Sequence, residues 1–285
     1  MKSFAWVRRP VRLGIVIAVA AALFVAGAVA FGADAPKPRI KTFTPHSERD
    51  ITNLDVLRQQ IRNYYGDPLG TGEFAGDSYY AKEARQAASR GKHWLKSQLP
   101  RHTRPKAIVL DVDDTTLATW NYEIFSNWAF NPGTNATFVT EQRFPPVPGM
   151  VKMVTDASAR GYAIFYLTGR PEAQEEATLG NLTSDGIGVD AGYPAPTALS
   201  STEDGLFTKP AVGSYPDYLN KPEFCGPAIA ASSSCPTVLY KSGVRAHIEA
   251  SGYEIVGNFG DQFSDLIGGF ADQTFKLPNP NYFLP

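Results

Sequence analysis

The sequence predicts an α/β fold, a parallel sheet with helices on its faces. Three observations predict it. Short runs dominated by β-branched, aliphatic and aromatic residues lie at Ala107–Val112, Tyr162–Leu167 and Glu254–Phe259. Segments with apolar residues at helical spacing separate them, and each run stops at polar residues. Strands that alternate with helices pair in parallel through right-handed crossovers, which leaves ligand sites beyond their carboxyl ends.

The elements follow in chain order. Lys2, Arg8, Arg9 and Arg12 precede an uncharged apolar run, Leu13–Gly32, so residues 1–32 read as an export signal or a membrane anchor. Ala28-Val29-Ala30 offers a small-x-small cleavage site, whereas the length of the run suits a bilayer span. No cysteine directly follows it, which excludes a lipid-modified one. Residues 33–50, rich in Pro, Lys and Thr without periodicity, read as a linker, and 51–285 as a single domain. Helical patterns span about Ile51–Tyr65 and Tyr79–Leu99, on either side of the Gly-rich GDPLGTGEFAGD. After the first strand, Met150, Val151, Met153, Val154 and Ala157 mark a helix that Gly161 ends. The strand Tyr162–Leu167 follows, and Pro171 opens a helix carrying Ala173, Ala177 and Leu182. A weaker strand is expected at Thr197–Ser200, another at Thr237–Tyr240, a helix at Ser242–Ala250, and the last strand at Glu254–Phe259. Two segments fall outside this alternation: an aromatic-rich flap, TWNYEIFSNWAFNPGTNATFVTEQRF, and an insertion at about 201–236 that would cap the site or extend the sheet edge.

Composition narrows the partners. The chain has 285 residues, 43% hydrophobic and 19% charged, with a formal net charge of -1 and no basic stripe, so binding to a nucleic-acid polymer is not expected and small solutes are. A membrane contact is expected only through the N-terminal segment. The two cysteines, Cys225 and Cys235, flank a loop-like segment of the insertion and, in an exported protein, are expected to form a disulfide. With no nearby His they make a poor zinc site.

Chemistry gathers at the strand ends. The first expected strand delivers Asp111, Asp113 and Asp114, the second Thr168, Gly169 and Arg170, the next Lys241, and the last Asp261 and Asp265. Carboxylates this close repel one another unless a cation or shared proton relieves them. An EF-hand loop fails at its sixth and twelfth positions, Thr116 and Tyr122. A sugar-nucleotide transferase's acid-x-acid motif explains neither Lys241 nor the later GDQFSD, and GIGVDAG has the wrong spacing for a dinucleotide loop. His247, on the helix after Lys241, matches no acceptor role.

The order D-x-D-D-T at Asp111–Thr115, YLTGR at Tyr166–Arg170, Lys241 and GDQFSD at Gly260–Asp265 resembles the haloacid dehalogenase superfamily. Within it the chain is similar, over about Tyr79–Leu266, to the secreted acid phosphatase branch that joins class B-like bacterial enzymes and plant storage-type acid phosphatases. The resemblance implies a Rossmann-like parallel sheet and an acid phosphatase of small phosphomonoesters acting through an aspartyl phosphate. It places the nucleophile on Asp111, the general acid/base on Asp113, and phosphate binding on Thr168, Gly169 and Lys241. Magnesium would be held by Asp111, the Asp113 carbonyl and Asp261, with Asp265 behind them. Asp114 stands where the family usually has Glu, one methylene longer. Arg170 would touch phosphate or leaving group, or pair with Asp265, and Tyr122 and Trp128 would either wall the leaving-group pocket or form a core around the flap. Phosphotransfer to an alcohol or nucleoside would use the same intermediate. A non-catalytic storage protein of this fold would lack the nucleophile, and Asp111 is present.

The chemistry of the residues agrees with those roles. A carboxylate attacking an anionic phosphoryl group needs a divalent cation against charge repulsion, and magnesium suits an all-oxygen site. A lysine and a hydroxyl then stabilise the equatorial oxygens.

Overall fold

Strands β1 (Lys106–Leu110), β2 (Ala163–Pro171), β3 (Leu206–Lys209), β4 (Glu254–Gly260) and β5 (Thr274–Lys276) form one sheet in the order β3-β2-β1-β4-β5, with every pair parallel. The structure is a computed structural model that describes residues 44–98, 104–183, 186–226 and 234–284. The basic and apolar N-terminal segment and residues 33–43 of the expected linker lie outside the described residues. Among the described residues, no helix is long and apolar enough to cross a membrane.

Helices cover both faces of the sheet. Helices α1 (Leu54–Tyr65), α2 (Tyr79–Gln98), α3 (Trp120–Ser126), α4 (Pro132–Thr140), α5 (Met150–Ser158), α6 (Glu175–Leu182), α7 (Thr237–Ala250) and α8 (Phe263–Leu266) complete the element order. Alternate residues of the central strands feed two cores, as a period of two requires. Ile108, Leu110, Ile164, Tyr166 and Val256 pack with Ala84, Ala88 and Leu95 of α2 and Met153 and Val154 of α5. Ala107, Val109, Phe165, Leu167 and Ile255 pack on the other face with Tyr240, Val244 and Ile248 of α7. Gly91 lets α2 lie close to β4, because a Cβ there would collide with the Phe259 ring. Buried on both faces, β1 reads as the unbroken apolar run that marked it in the sequence.

Two expectations need correction. Thr237–Tyr240 is the first turn of α7 and not a strand. Four apolar residues cannot separate strand from helix by periodicity, and Pro236 at the N-cap position opens the helix. Thr197–Ser200 is not a strand either, although Thr197 bonds Ile164 beside β2, its amide donating at 2.8 Å and its Oγ1 accepting at 3.0 Å. The edge strand beside β2 is β3, which begins inside the expected insertion, so that segment extends the sheet. The three-residue β5, beside β4, was not legible as a strand.

Candidate active site

The carboxyl ends of β1, β2 and β4 and the second turn of α7 meet at one edge of the sheet. The Asp111 amide donates to the Phe259 carbonyl at 2.9 Å, which fixes the end of β1 beside β4. A tight loop follows, in which the amides of Thr116 and Leu117 both donate to the Val112 carbonyl at 2.9 Å. Asp114 takes up the left-handed conformation, with φ of 53°, and its carboxylate accepts from the Thr119 amide at 2.9 Å and the Thr119 hydroxyl at 2.6 Å. It is therefore the staple of this loop. Burial pushes the Asp114 pKa up to about 7 despite these donors.

A ladder irregularity shapes the β2 end. Leu167 pairs with Phe207 and Pro171 with Lys209, so four steps along β2 match two along β3. The extra residues of such a bulge re-aim side chains. Thr168 and Arg170 point inward and are buried, while Gly169 is exposed and has open space where a Cβ would sit. The Thr168 hydroxyl accepts from the Arg170 amide at 3.1 Å. Arg170 grips Asp113 with two bonds, Nε at 3.1 Å and a terminal nitrogen at 2.7 Å, and donates to Thr178 at 3.0 Å. Its partner is thus Asp113, and the expected pairing with Asp265 does not occur.

Lys241 reaches the centre from α7 rather than from a strand end. Its buried ammonium donates to Asp111 Oδ1 and to Asp265 Oδ1, the latter at 2.7 Å. The pKa of Lys241 is raised: burial opposes its charge, but Asp111 and Asp265 outweigh burial. Asp265 also accepts from the Gln262 amide at 2.8 Å, and Gly260 makes room for it, because a Cβ there would collide with Asp265. Asp261 accepts from Thr115 at 3.3 Å, Gln262 at 2.6 Å and Asn279 at 2.7 Å.

Carboxylate oxygens of Asp111, Asp261 and Asp265 lie within 4.8 Å of one another, and all three residues are buried. Burial raises the Asp111 pKa well above the usual carboxylate range, with Lys241 pulling it down and the neighbouring acids pushing it up. Burial, Asp265 and Asp114 push Asp261 up to about 7. One ammonium does not neutralise this group, and its donors are all hard oxygens. That donor set fits a divalent cation such as magnesium or calcium. Asp113 contributes no side chain to it, since its carboxylate is turned to Arg170.

Residues 39–210 and 229–285 match the profile of the HAD superfamily, subfamily IIIB (acid phosphatase). The chain belongs to this family. It is an acid phosphatase by family, a phosphoric monoester hydrolase. Vegetative storage protein 2 of Arabidopsis thaliana is 23% identical over 242 residues, covering 83% of this chain and 76% of that protein. Acid phosphatase 1 of Solanum lycopersicum is 27% identical over 187 residues, covering 62% of this chain and 58% of that protein. The class C acid phosphatase from Bacillus anthracis shares the fold with a TM-score of 0.54 at 18% identity, covering 80% of this chain and 86% of that one.

In this phosphatase the family match leaves out only residues 211–228 of the expected 201–236 insertion, and β3 lies within the matched part. Cys225 and Cys235 form a disulfide beneath the β3 side of the sheet, tying the insertion to the start of α7. Of the two flap aromatics, Tyr122 takes the core alternative. Tyr122 is buried in the core, and its hydroxyl donates to the Asn131 carbonyl at 3.0 Å. Trp128 packs edge-on against Trp120 and donates to Asn281 at 3.2 Å. His247 stacks on Tyr218 and bonds Glu203 at 2.8 Å, a packing role. Sequence reasoning missed Gln262 and Asn279, which hold Asp261. Gln262 lies within the quoted GDQFSD, whereas Asn279, in a Pro-rich tail without periodicity, left no signal.

Proposed function

We propose that this acid phosphatase hydrolyses small phosphate monoesters through an aspartyl phosphate on Asp111. The observation that carries the reading is the Asp111–Lys241–Asp265 contact beside Asp261: a carboxylate at a strand end, held by a buried cation among acids that call for a second one. Asp111 attacks phosphorus as the bond to the leaving oxygen breaks, and Asp113, oriented by Arg170, gives that oxygen its proton. Asp113 then takes a proton from the water that attacks phosphorus, and the Asp111–phosphorus link breaks to release phosphate. The Thr168 hydroxyl, the Gly169 amide and Lys241 supply donors for the phosphoryl oxygens.

Asp111, the Asp113 carbonyl and Asp261 would hold magnesium, with Asp265 positioning Lys241 and supporting the ion's water. When bound, magnesium offsets the charge repulsion between nucleophile and phosphoryl group. The test is phosphate release by the purified protein before and after exhaustive chelation. Loss on chelation with recovery on magnesium supports the reading, and undiminished turnover overturns the metal assignment.

We also read the chain as exported, either cleaved after the apolar run or anchored by it. The basic flank before Leu13–Gly32 and the disulfide, which persists in oxidising compartments, support this. Fractionation with N-terminal sequencing tests it: recovery of the intact chain in the cytoplasm with free thiols would refute it.

A further inference from the structure

Lys209 ends β3 opposite Pro171, at the same sheet edge as Thr168 and Arg170. Side chains alternate along a strand, and Phe207 packs in the core that α7 covers. Lys209, two residues on, therefore projects on the α7 face, the face from which Lys241 reaches Asp111. Its side chain is partly buried and has no hydrogen-bond or ion-pair partner among the described residues. The other cations of the site are engaged, Lys241 between Asp111 and Asp265 and Arg170 on Asp113.

Removing a cation from water without a counter-charge is unfavourable. Burial and the nearby charge of Lys241 pull the Lys209 pKa down, and no acid offsets them. A second donor on this face lacks an acceptor as well: the Tyr240 hydroxyl is buried and has no partner among the described residues. The unpaired Lys209 ammonium calls for an anion from outside the chain, whereas the Tyr240 hydroxyl already lies near Glu175, Glu172 and Asp111. Lys209 pairs with none of Asp111, Asp113 or Asp265, so its charge is not spent on the groups that would hold the reacting phosphate and is left for another anion at this sheet edge.

We infer that Lys209 binds a second anionic group on the alcohol portion of the substrate, so that this phosphatase prefers monoesters bearing a further phosphate or carboxylate. This rests on the reading of Asp111 as nucleophile. Propanediol bisphosphate and propyl phosphate differ in the second anion and serve as probes for the full-length protein and its Lys209→Met and Lys209→Arg variants. Lys209→Met should raise KM for the bisphosphate about tenfold, the loss of one charge-assisted contact, and change KM for propyl phosphate less than about twofold. The kcat for both should hold, and Lys209→Arg should restore most of the bisphosphate KM. Replacing the second phosphate by a carboxylate distinguishes a general anion site, with the same Lys209→Met penalty, from one that needs a phosphate. Equal KM changes for both probes, or none, would overturn the inference while leaving the phosphatase reading standing. A wild-type protein that hydrolyses neither probe would overturn that reading and the inference with it.

Discussion

Replacing Lys241 by Met tests whether the centre depends on a buried cation. The ammonium bridges Asp111 and Asp265, and the side chains of all three are less than a tenth exposed. Methionine fills similar volume without charge, so the loss is electrostatic: two buried carboxylates keep their desolvation cost and lose their counter-charge. Breaking a buried pair from one side costs about 3–5 kcal/mol. The lysine sign agrees: its folded pKa is raised, so its stabilisation is fully present below the unfolded value of about 10.4 and lost only as pH rises through the folded one. Urea unfolding at pH 7 in chelator should therefore show Lys241→Met less stable by about 3–5 kcal/mol. Adding Asp265→Asn should recover part of that loss by removing one orphaned charge, while phosphate release stays abolished. A Lys241→Met protein as stable as the wild type in chelator would refute the reasoning.

Other perturbations probe separate parts of the account. Glu123 is buried with no cation beside it among the described residues, and burial and Asp113 push its pKa up to about 7. Its folded pKa is raised, so its ionisation destabilises the fold progressively as pH rises from about 4.3 through 7; Glu123→Gln should add roughly 3 kcal/mol by urea unfolding at pH 8 and nothing below pH 4. Cys225→Ala with Cys235→Ala should cost about 3 kcal/mol, the closure entropy of a ten-residue loop, and loosen the start of α7 that carries Lys241, read as a lower Tm and reduced kcat. Tyr122→Phe should cost about 1 kcal/mol by loss of its hydroxyl contact to Asn131 and leave KM unchanged; a large rise in KM would restore the flap as a substrate pocket.

The strands that build the site were readable because burial on both faces leaves little choice of residue. β1, β2 and β4 appear as apolar runs, and the acids at their ends stand out as charge where a buried strand stops. Elements whose identity depends on distant contacts were not readable in the same way. The four residues before Lys241 suit strand and helix equally, and only the packing of Tyr240, Val244 and Ile248 beneath the sheet decides for a helix. β3 is short and lies at an edge, so it carries no long apolar run. Aromatic density in the flap fits a pocket or a core, and Tyr122 turns inward because the Asn131 carbonyl satisfies its hydroxyl there. Arg170 could be placed at the site by its position after Thr168, but its choice of Asp113 over Asp265 follows from Lys241 already holding Asp265. The approach of Asn279 to Asp261 joins positions 18 residues apart through a tail with no periodic pattern, a contact that local sequence does not encode.

The central claim is that phosphate passes through Asp111. Asp113→Asn keeps the nucleophile and removes the proton donor, so an activated aryl phosphate, whose leaving group needs little protonation, should still phosphorylate it while hydrolysis of the intermediate slows. Mass spectrometry of the acid-quenched Asp113→Asn protein should find one phosphoryl group on the peptide containing Asp111, and none when Asp111→Asn is added. Phosphate release by Asp113→Asn with no phosphoryl group on that peptide would contradict the account and point to direct attack by water.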